Sequence, residues 1–247
     1  MTTKISLYDN TVTVYFDSIK HQYKVDGLVV PSVTTVLSTI AKPALINWAA
    51  NMCADNIAAA LEPGKAYDEL QLQAIIETGR RAHWQKKTDA GTIGSFVHKF
   101  VQQYINGENP ALPVNEELKK SVERFLAWVE ENKVKFLVSE QVTYSKKHRY
   151  IGTLDFICTI GGKMYLGDLK TSNAIYPAEM GLQLAAYRLS REEEFPQEKY
   201  AGCILVRVGK KDGEFETWQF EDDSLYRRSF LSVLELSRNL NEIKLVY

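Results

Sequence analysis

The stretch from Ile151 to Lys170, I-G-T-L-D-F-I-C-T-I-G-G-K-M-Y-L-G-D-L-K, constrains this chain more than any other. Ile151–Ile160 is rich in β-branched and aromatic residues, Gly161-Gly162 supplies the positive φ angles of a two-residue turn, and Lys163–Lys170 runs back. If the two glycines are the whole turn, Ile160 faces Lys163, and counting outward sets Asp155 opposite Asp168. Opposed residues share a face with Cβ atoms about 5 Å apart, where like charges repel. The strand period also brings Lys170 to the face of Asp168. Two carboxylates aimed at one another beside an ammonium need a reason, and a divalent cation held between the acids is the economical one.

The rest of the chain frames that hairpin. Thr11–Phe16 alternates as a strand, and Gln22–Val25 and Leu28–Val30 flank Asp26-Gly27, a hairpin signal. Ser32 is a candidate N-cap for V-T-T-V-L-S-T-I, and Pro43 restarts a helix through Leu45, Trp48, Ala49, Met52 and Ile57 that ends before Pro63-Gly64. Further helices are predicted over 68–87 and 94–105, and over 116–132 with a stripe of Leu118, Val122, Phe125, Leu126 and Val129. Strands follow at 135–144, 149–160 and 163–170, then a helix over 178–191, a strand over 201–208, a turn at Lys211-Asp212-Gly213, a strand over 214–220, and a helix capped near Asp222-Asp223. The run 163–208 is a βαβ unit, so its two strands are expected to be parallel. No linker or repeat stands out. The expectation is a single α/β domain over 1–247, with 32–133 largely helical and 135–220 carrying the sheet.

Bulk properties exclude more than they assign. At 247 residues and 45% hydrophobic the chain can bury a full core. A formal charge of −1 gives no global field for nucleic acid. Basic residues are clustered locally at Arg80-Arg81, Lys86-Lys87, Lys146–Arg149 and Lys210-Lys211, where solvated surface is the ordinary explanation. Cys53, Cys158 and Cys203 are odd in number and far apart, which fits neither a disulfide framework nor a metal spacing and suits a reducing, cytoplasmic setting. Residues 2–20 lack the apolar core of a signal peptide, and no apolar run would span a bilayer.

Other residues can join the face of the two aspartates. Glu140, in V-S-E-Q-V, would come close to Thr153 if the chain turns near Ser145–His148; it reads equally as an edge glutamate facing water. His98 lies on a helix whose stripe includes Val97, Val101 and Ile105, where a lone histidine is ordinarily a satisfied or exposed residue. Gln183 and Tyr187 are four apart on one helix side, a ligand-facing pair or a boundary between core and surface. Ser32, at a helix start, offers backbone N–H groups that could seat a phosphate, against plain capping.

Together G-T-I-G-S-F-V-H, S-E-Q-V, G-T-L-D, G-D-L-K-T and Q-L-A-A-Y resemble the PD-(D/E)XK nuclease superfamily, in particular its RecB-type exonuclease branch. P-S-V-T-T-V-L followed by L-I-N-W is similar to phage exonucleases of that branch and to the mitochondrial genome-maintenance exonuclease. The resemblance implies a restriction-endonuclease-like core, a mixed central sheet flanked by helices with a helical N-terminal half. It implies Asp155 and Asp168 as metal ligands, the Leu169 carbonyl as a third, His98 as the branch-specific one, and Lys170 as the catalytic lysine. Glu140 matches the first acidic motif, and Gln183 and Tyr187 match the motif that orients the site or touches the nucleic-acid backbone. The chain departs from the pattern in having Leu-Asp without the eponymous proline and aspartate where many members carry glutamate. The four-cysteine cluster of iron–sulfur relatives is missing.

The implied activity is a deoxyribonuclease using Mg²⁺ or Mn²⁺, an exonuclease at DNA ends in phage or bacterial recombination, repair or degradation. Its partners would be DNA and a phage or host recombination protein such as a single-strand annealing or binding protein, in the cytoplasm of a bacterial or phage-infected cell. A non-hydrolytic DNA-binding or inhibitor protein that keeps the fold is the competing class, and an endonuclease would share the chemistry. Divalent ions polarise a phosphoryl oxygen, lower the pKa of water and steady the leaving oxygen. Hard oxygen ligands suit those ions.

Overall fold

The computed structural model describes residues 2–211 and 213–246, with Asp212 of the expected 211–213 turn outside them. Two compact units divide the chain: residues 1–40 with 97–247, and residues 41–96.

The larger unit holds both sheets. Strands β1 (Thr2–Leu7), β2 (Val12–Asp17), β3 (Gln22–Val25) and β4 (Leu28–Val30) form an antiparallel meander. Asp26 and Gly27 both take positive φ (52° and 76°), the conformation that a two-residue turn between twisted strands requires. β1 was not anticipated from the sequence: only Leu7 of its six residues is buried, so its pattern is that of a solvated edge. The five-stranded sheet is ordered β5 (Lys135–Ser145), β6 (Tyr150–Ile160), β7 (Lys163–Lys170), β8 (Tyr200–Val208) and β9 (Phe215–Phe220). All neighbours are antiparallel except β7 and β8, which run parallel across α5 (Pro177–Glu194), as the βαβ reading requires. The chain is therefore α/β, a mixed sheet flanked by helices with a helical N-terminal part.

Two apolar clusters seat the sheet. One gathers Val33, Leu37, Tyr150, Leu154, Leu166, Leu184, Tyr187, Leu205 and Phe230 from α1 (Val33–Leu37), β6, β7, α5, β8 and α6 (Ser224–Val246). The other joins Val14, Val25 and Val30 of the meander to Tyr144 and Ile151 of the β5–β6 pair. Tyr150, fully buried, donates its hydroxyl to the Ala186 carbonyl at 2.7 Å, so β6 is fastened to α5 by a polar bond as well as by area. α4 (Glu116–Glu131) is capped by Asn115 and buries Leu118, Val122, Phe125, Trp128 and Val129. Leu126, expected on that stripe, is half-buried, and Trp128 takes the inward position.

The smaller unit contains α2 (Pro43–Ala60), which begins on its proline as expected. None of its residues is fully buried; Leu45 and Trp48, expected on its apolar stripe, are exposed. The two helices predicted over 68–87 and 94–105 are one, α3 (Glu69–Ile105), 37 residues long. Its first part belongs to the smaller unit and residues 97–105 to the larger. Through the polar stretch between them the helix continues, with the Thr88 and Thr92 hydroxyls donating back to the carbonyls of Trp84 and Thr88.

Candidate metal centre

The hairpin turn forms as its glycines dictate. Gly161 and Gly162 take φ of 57° and 79°, and Ile160 pairs with Lys163. The ladder ends at Phe156 and Gly167, one pair short of Asp155 and Asp168. A side chain on Gly167 would overlap the Phe156 ring, which lies across that glycine where the strands part. Instead of pairing with Asp168, Asp155 receives the Leu169 backbone N–H on its Oδ2 at 2.6 Å. The counted register thus holds as far as Phe156 and Gly167, and beyond it the hydrogen bond of Asp155 goes to the Leu169 N–H while Asp168 stays close enough for its charge to act on Asp155.

On its other side Asp155 meets Glu140. The β5–β6 register pairs Gln141 with Leu154 and Ser139 with Phe156, so Glu140 stands across from Asp155, not at Thr153, whose partner is Val142. Glu140 itself is skipped by the ladder and takes φ of 49°, a left-handed conformation uncommon for a glutamate inside a strand. His98 approaches from the last two turns of α3, its stripe mates Val97 and Val101 buried. Its Nδ1 lies 3.7 Å from Asp155 Oδ2 and 4.0 Å from Glu140 Oε1. One ligand atom from each of His98, Glu140 and Asp155 falls within 4.8 Å of the others, the spread of donors about a small cation.

Asp168 and Lys170 lie beside this cluster. Alternation brings both to one face, and the Lys170 ammonium closes onto Asp168 Oδ2 in an ion pair, with Asp168 fully buried. Gln183 donates its amide to the Tyr187 hydroxyl at 2.9 Å. Tyr187 crosses β6 at Gly152, where a side chain would overlap the tyrosine ring and crowd Val33 at 3.2 Å. Ser32 caps α1: its hydroxyl accepts the Thr35 N–H at 3.1 Å and hydrogen-bonds the Thr34 and Thr35 hydroxyls. Two residues that sequence reasoning did not single out, Ser139 and Gln102, line the small cavity beside His98, Glu140 and Asp155. Nothing in a strand pattern marks Ser139, because alternation sends it to the face opposite Glu140.

Charge is crowded here. Burial, then the Asp168 charge, pushes Asp155 well above the usual carboxylate range, against the pull of Lys170 and the Leu169 N–H. Glu140 is raised for the same two reasons. Burial lowers His98, with Asp168 and a hydrogen bond to the Leu169 backbone working against it, so the imidazole favours its neutral, ligand-competent form. Lys170 goes the other way: burial would lower it, but Asp168 and Asp155 more than offset that and hold it charged. Carboxylates raised by burial and by the Asp168 charge around a neutral imidazole favour an added positive charge, and two oxygens with one nitrogen suit a divalent cation.

No helix among the described residues is long and apolar enough to cross a membrane. No protein-family model matches the chain, and no curated protein matches it. Among solved structures the chain is similar to SSO0001, with 12% identity, a TM-score of 0.36, and coverage of 76% of this chain and 84% of that one. It is also similar to an alkaline exonuclease (LHK-Exo) from Laribacter hongkongensis, with 12% identity, a TM-score of 0.32, and coverage of 81% of this chain and 97% of that one.

Proposed function

We propose that this chain is a divalent-metal-dependent deoxyribonuclease that hydrolyses phosphodiester bonds, working as an exonuclease at DNA ends with Mg²⁺ or Mn²⁺. The observation that carries the reading is the meeting of His98 Nδ1, Glu140 Oε1 and Asp155 Oδ2 within 4.8 Å beside the Asp168–Lys170 ion pair. Bare carboxylates repel phosphate, so a site built from them has use for a phosphodiester only with a cation present.

His98, Glu140 and Asp155 would hold that cation, with Asp168 and the Leu169 carbonyl as the further candidates. When bound, the ion supplies Lewis-acid polarisation of the phosphoryl group and activation of water. Lys170 keeps its proton beside Asp168, so it acts as a positive charge, orienting the attacking water or neutralising the phosphoryl oxygens, and not as a base. Asp168 holds that ammonium in place. Tyr187, buried at Gly152 and tied to Gln183, keeps α5 seated on the strand that carries Asp155.

Degradation of end-labelled single- and double-stranded DNA tests the reading, with Mg²⁺, Mn²⁺ or EDTA, in wild type, Asp168→Ala and Lys170→Ala. Metal-dependent loss of label in wild type alone is expected. Activity surviving both substitutions would place the chemistry elsewhere. Equal cleavage of linear and covalently closed circular DNA would replace the exonuclease with an endonuclease of the same chemistry.

A further inference from the structure

Neighbours along a strand look to opposite faces, so Ser139 and Glu140 would ordinarily serve different compartments. The left-handed backbone at Glu140 interrupts that alternation, and both residues line one cavity of ≈ 10 Å³ with His98, Gln102, Asp155 and Leu169. The Ser139 hydroxyl oxygen is shielded from solvent and has no hydrogen-bond partner among the described residues. Gln102, four residues beyond His98 on α3 and so on the same helix side, is half-buried and lines the same cavity. A buried hydroxyl left without a partner destabilises a fold. Folded chains keep such a group where water or an ion pairs with it. A space of this size takes about one water, provided two to four polar groups surround it. Ser139, Gln102, Glu140 and Asp155 are polar residues of its lining, which Val101, Ile105 and Phe156 complete.

We propose, resting on the cation reading above, that Ser139 and Gln102 are positioning residues of that site. They hold one water that donates to the ligand carboxylates and so sets their orientation toward His98. With both water hydrogens on the carboxylates, Ser139 donates its hydroxyl, and Gln102 its amide N–H, to the water oxygen. Neither residue touches the reacting atoms. Their contribution is to the affinity of the ion, because groups behind metal ligands typically change affinity about 10–100-fold when removed.

The test is Mn²⁺ binding without DNA, followed by titration calorimetry and by the electron paramagnetic resonance of free Mn²⁺, alongside thermal unfolding of the metal-free protein. Ser139→Ala is expected to weaken Mn²⁺ about tenfold. Its metal-free unfolding temperature should change little, because the hydroxyl makes no hydrogen bond to another described residue. Gln102→Ala, on a half-exposed helix face, should weaken Mn²⁺ in the same direction and decides the matter if Ser139→Ala does not fold. Ser139→Thr, which keeps the hydroxyl, should restore affinity. Wild-type affinity in both alanine variants overturns this inference and leaves the cation reading standing. Failure of the wild-type protein to bind any Mn²⁺ overturns both.

Discussion

Glu140 and Asp155 face each other across β5 and β6 without pairing, bracketed by the paired couples Gln141–Leu154 and Ser139–Phe156. The gap in the ladder falls where two acids meet, and it is made by the φ of 49° at Glu140. Sparsely populated backbone of this kind persists where the surroundings over-determine it, and it is concentrated at functional sites.

Replacing Glu140 by glycine separates strain from function. Glycine adopts positive φ freely, and the left-handed conformation costs other residues roughly 1–2 kcal/mol. Glu140→Gly should therefore stabilise the metal-free protein by about 1 kcal/mol, seen as a higher midpoint in urea. It should also weaken Mn²⁺ binding, since one of three clustered ligand atoms is lost. A variant less stable than wild type would count against strain at this position, since glycine's entropic cost is of the same order as the strain it relieves.

Cation binding should be visible as stability. A ligand at a hundred times its dissociation constant adds about 2.7 kcal/mol to a protein that binds it only when folded. Thermal unfolding of wild type should thus shift upward with Mn²⁺ and return with EDTA. His98→Ala and Asp155→Ala should lose most of that shift while still folding, because removing either also relieves crowded, partly desolvated groups. An undiminished shift in both would move the ion away from them.

Two glycines carry close approaches of aromatic rings. At Gly152 an added methyl would overlap Tyr187, and at Gly167 it would overlap Phe156. Overpacking of this sort destabilises by about 1–3 kcal/mol, so Gly152→Ala and Gly167→Ala should each lower the chemical-denaturation midpoint. Gly152→Ala should also disturb the 2.9 Å Gln183–Tyr187 contact. Wild-type stability in both variants would mean that the rings have room to move.

Acid should loosen the packing of α5 and α6. Burial raises Glu192, but hydrogen bonds from Arg227 and Arg188 outweigh it and hold the carboxyl below the ordinary range. Glu198 is held low in the same way by Arg191 and Tyr200. A depressed carboxylate stabilises the fold above its unfolded pKa, and that contribution is lost as pH falls through the folded one. Unfolding temperature should therefore decline on the acid side of the ordinary glutamate range. Glu192→Gln should be less stable at neutral pH and show a shallower decline, which a pH series of melting curves checks. Parallel curves for the two proteins would exclude Glu192 from the acid transition.

Much of the scaffold was legible because its signals are local. The Asp26-Gly27 and Gly161-Gly162 turns set their own backbone geometry, so hairpin partners follow by counting from them. The strand–helix–strand order through α5 likewise dictated that β7 and β8 run parallel. The continuity of α3 was less visible, because a polar stretch such as Thr88–Gly91 breaks an apolar pattern without breaking the backbone hydrogen bonds. The candidate site was legible as a set of residues but not as an arrangement. Counting from the turn paired Asp155 with Asp168, whereas the strands part after Phe156 and Asp155 keeps company with His98 and Glu140.

The chain alone thus determined its turns, the direction of its strands and the inventory of acids, lysine and histidine, because each depends on neighbours a few residues away. Which acid shares a centre with His98, that Glu140 bends backward to reach it, and that Ser139 turns to the same cavity were decided only in three dimensions. Those outcomes depend on the Phe156 ring crossing Gly167, on the register between β5 and β6, and on where α3 sets His98. These bring together groups from 11 (Phe156 and Gly167) to 57 (His98 and Asp155) residues apart, and no local pattern records their distances.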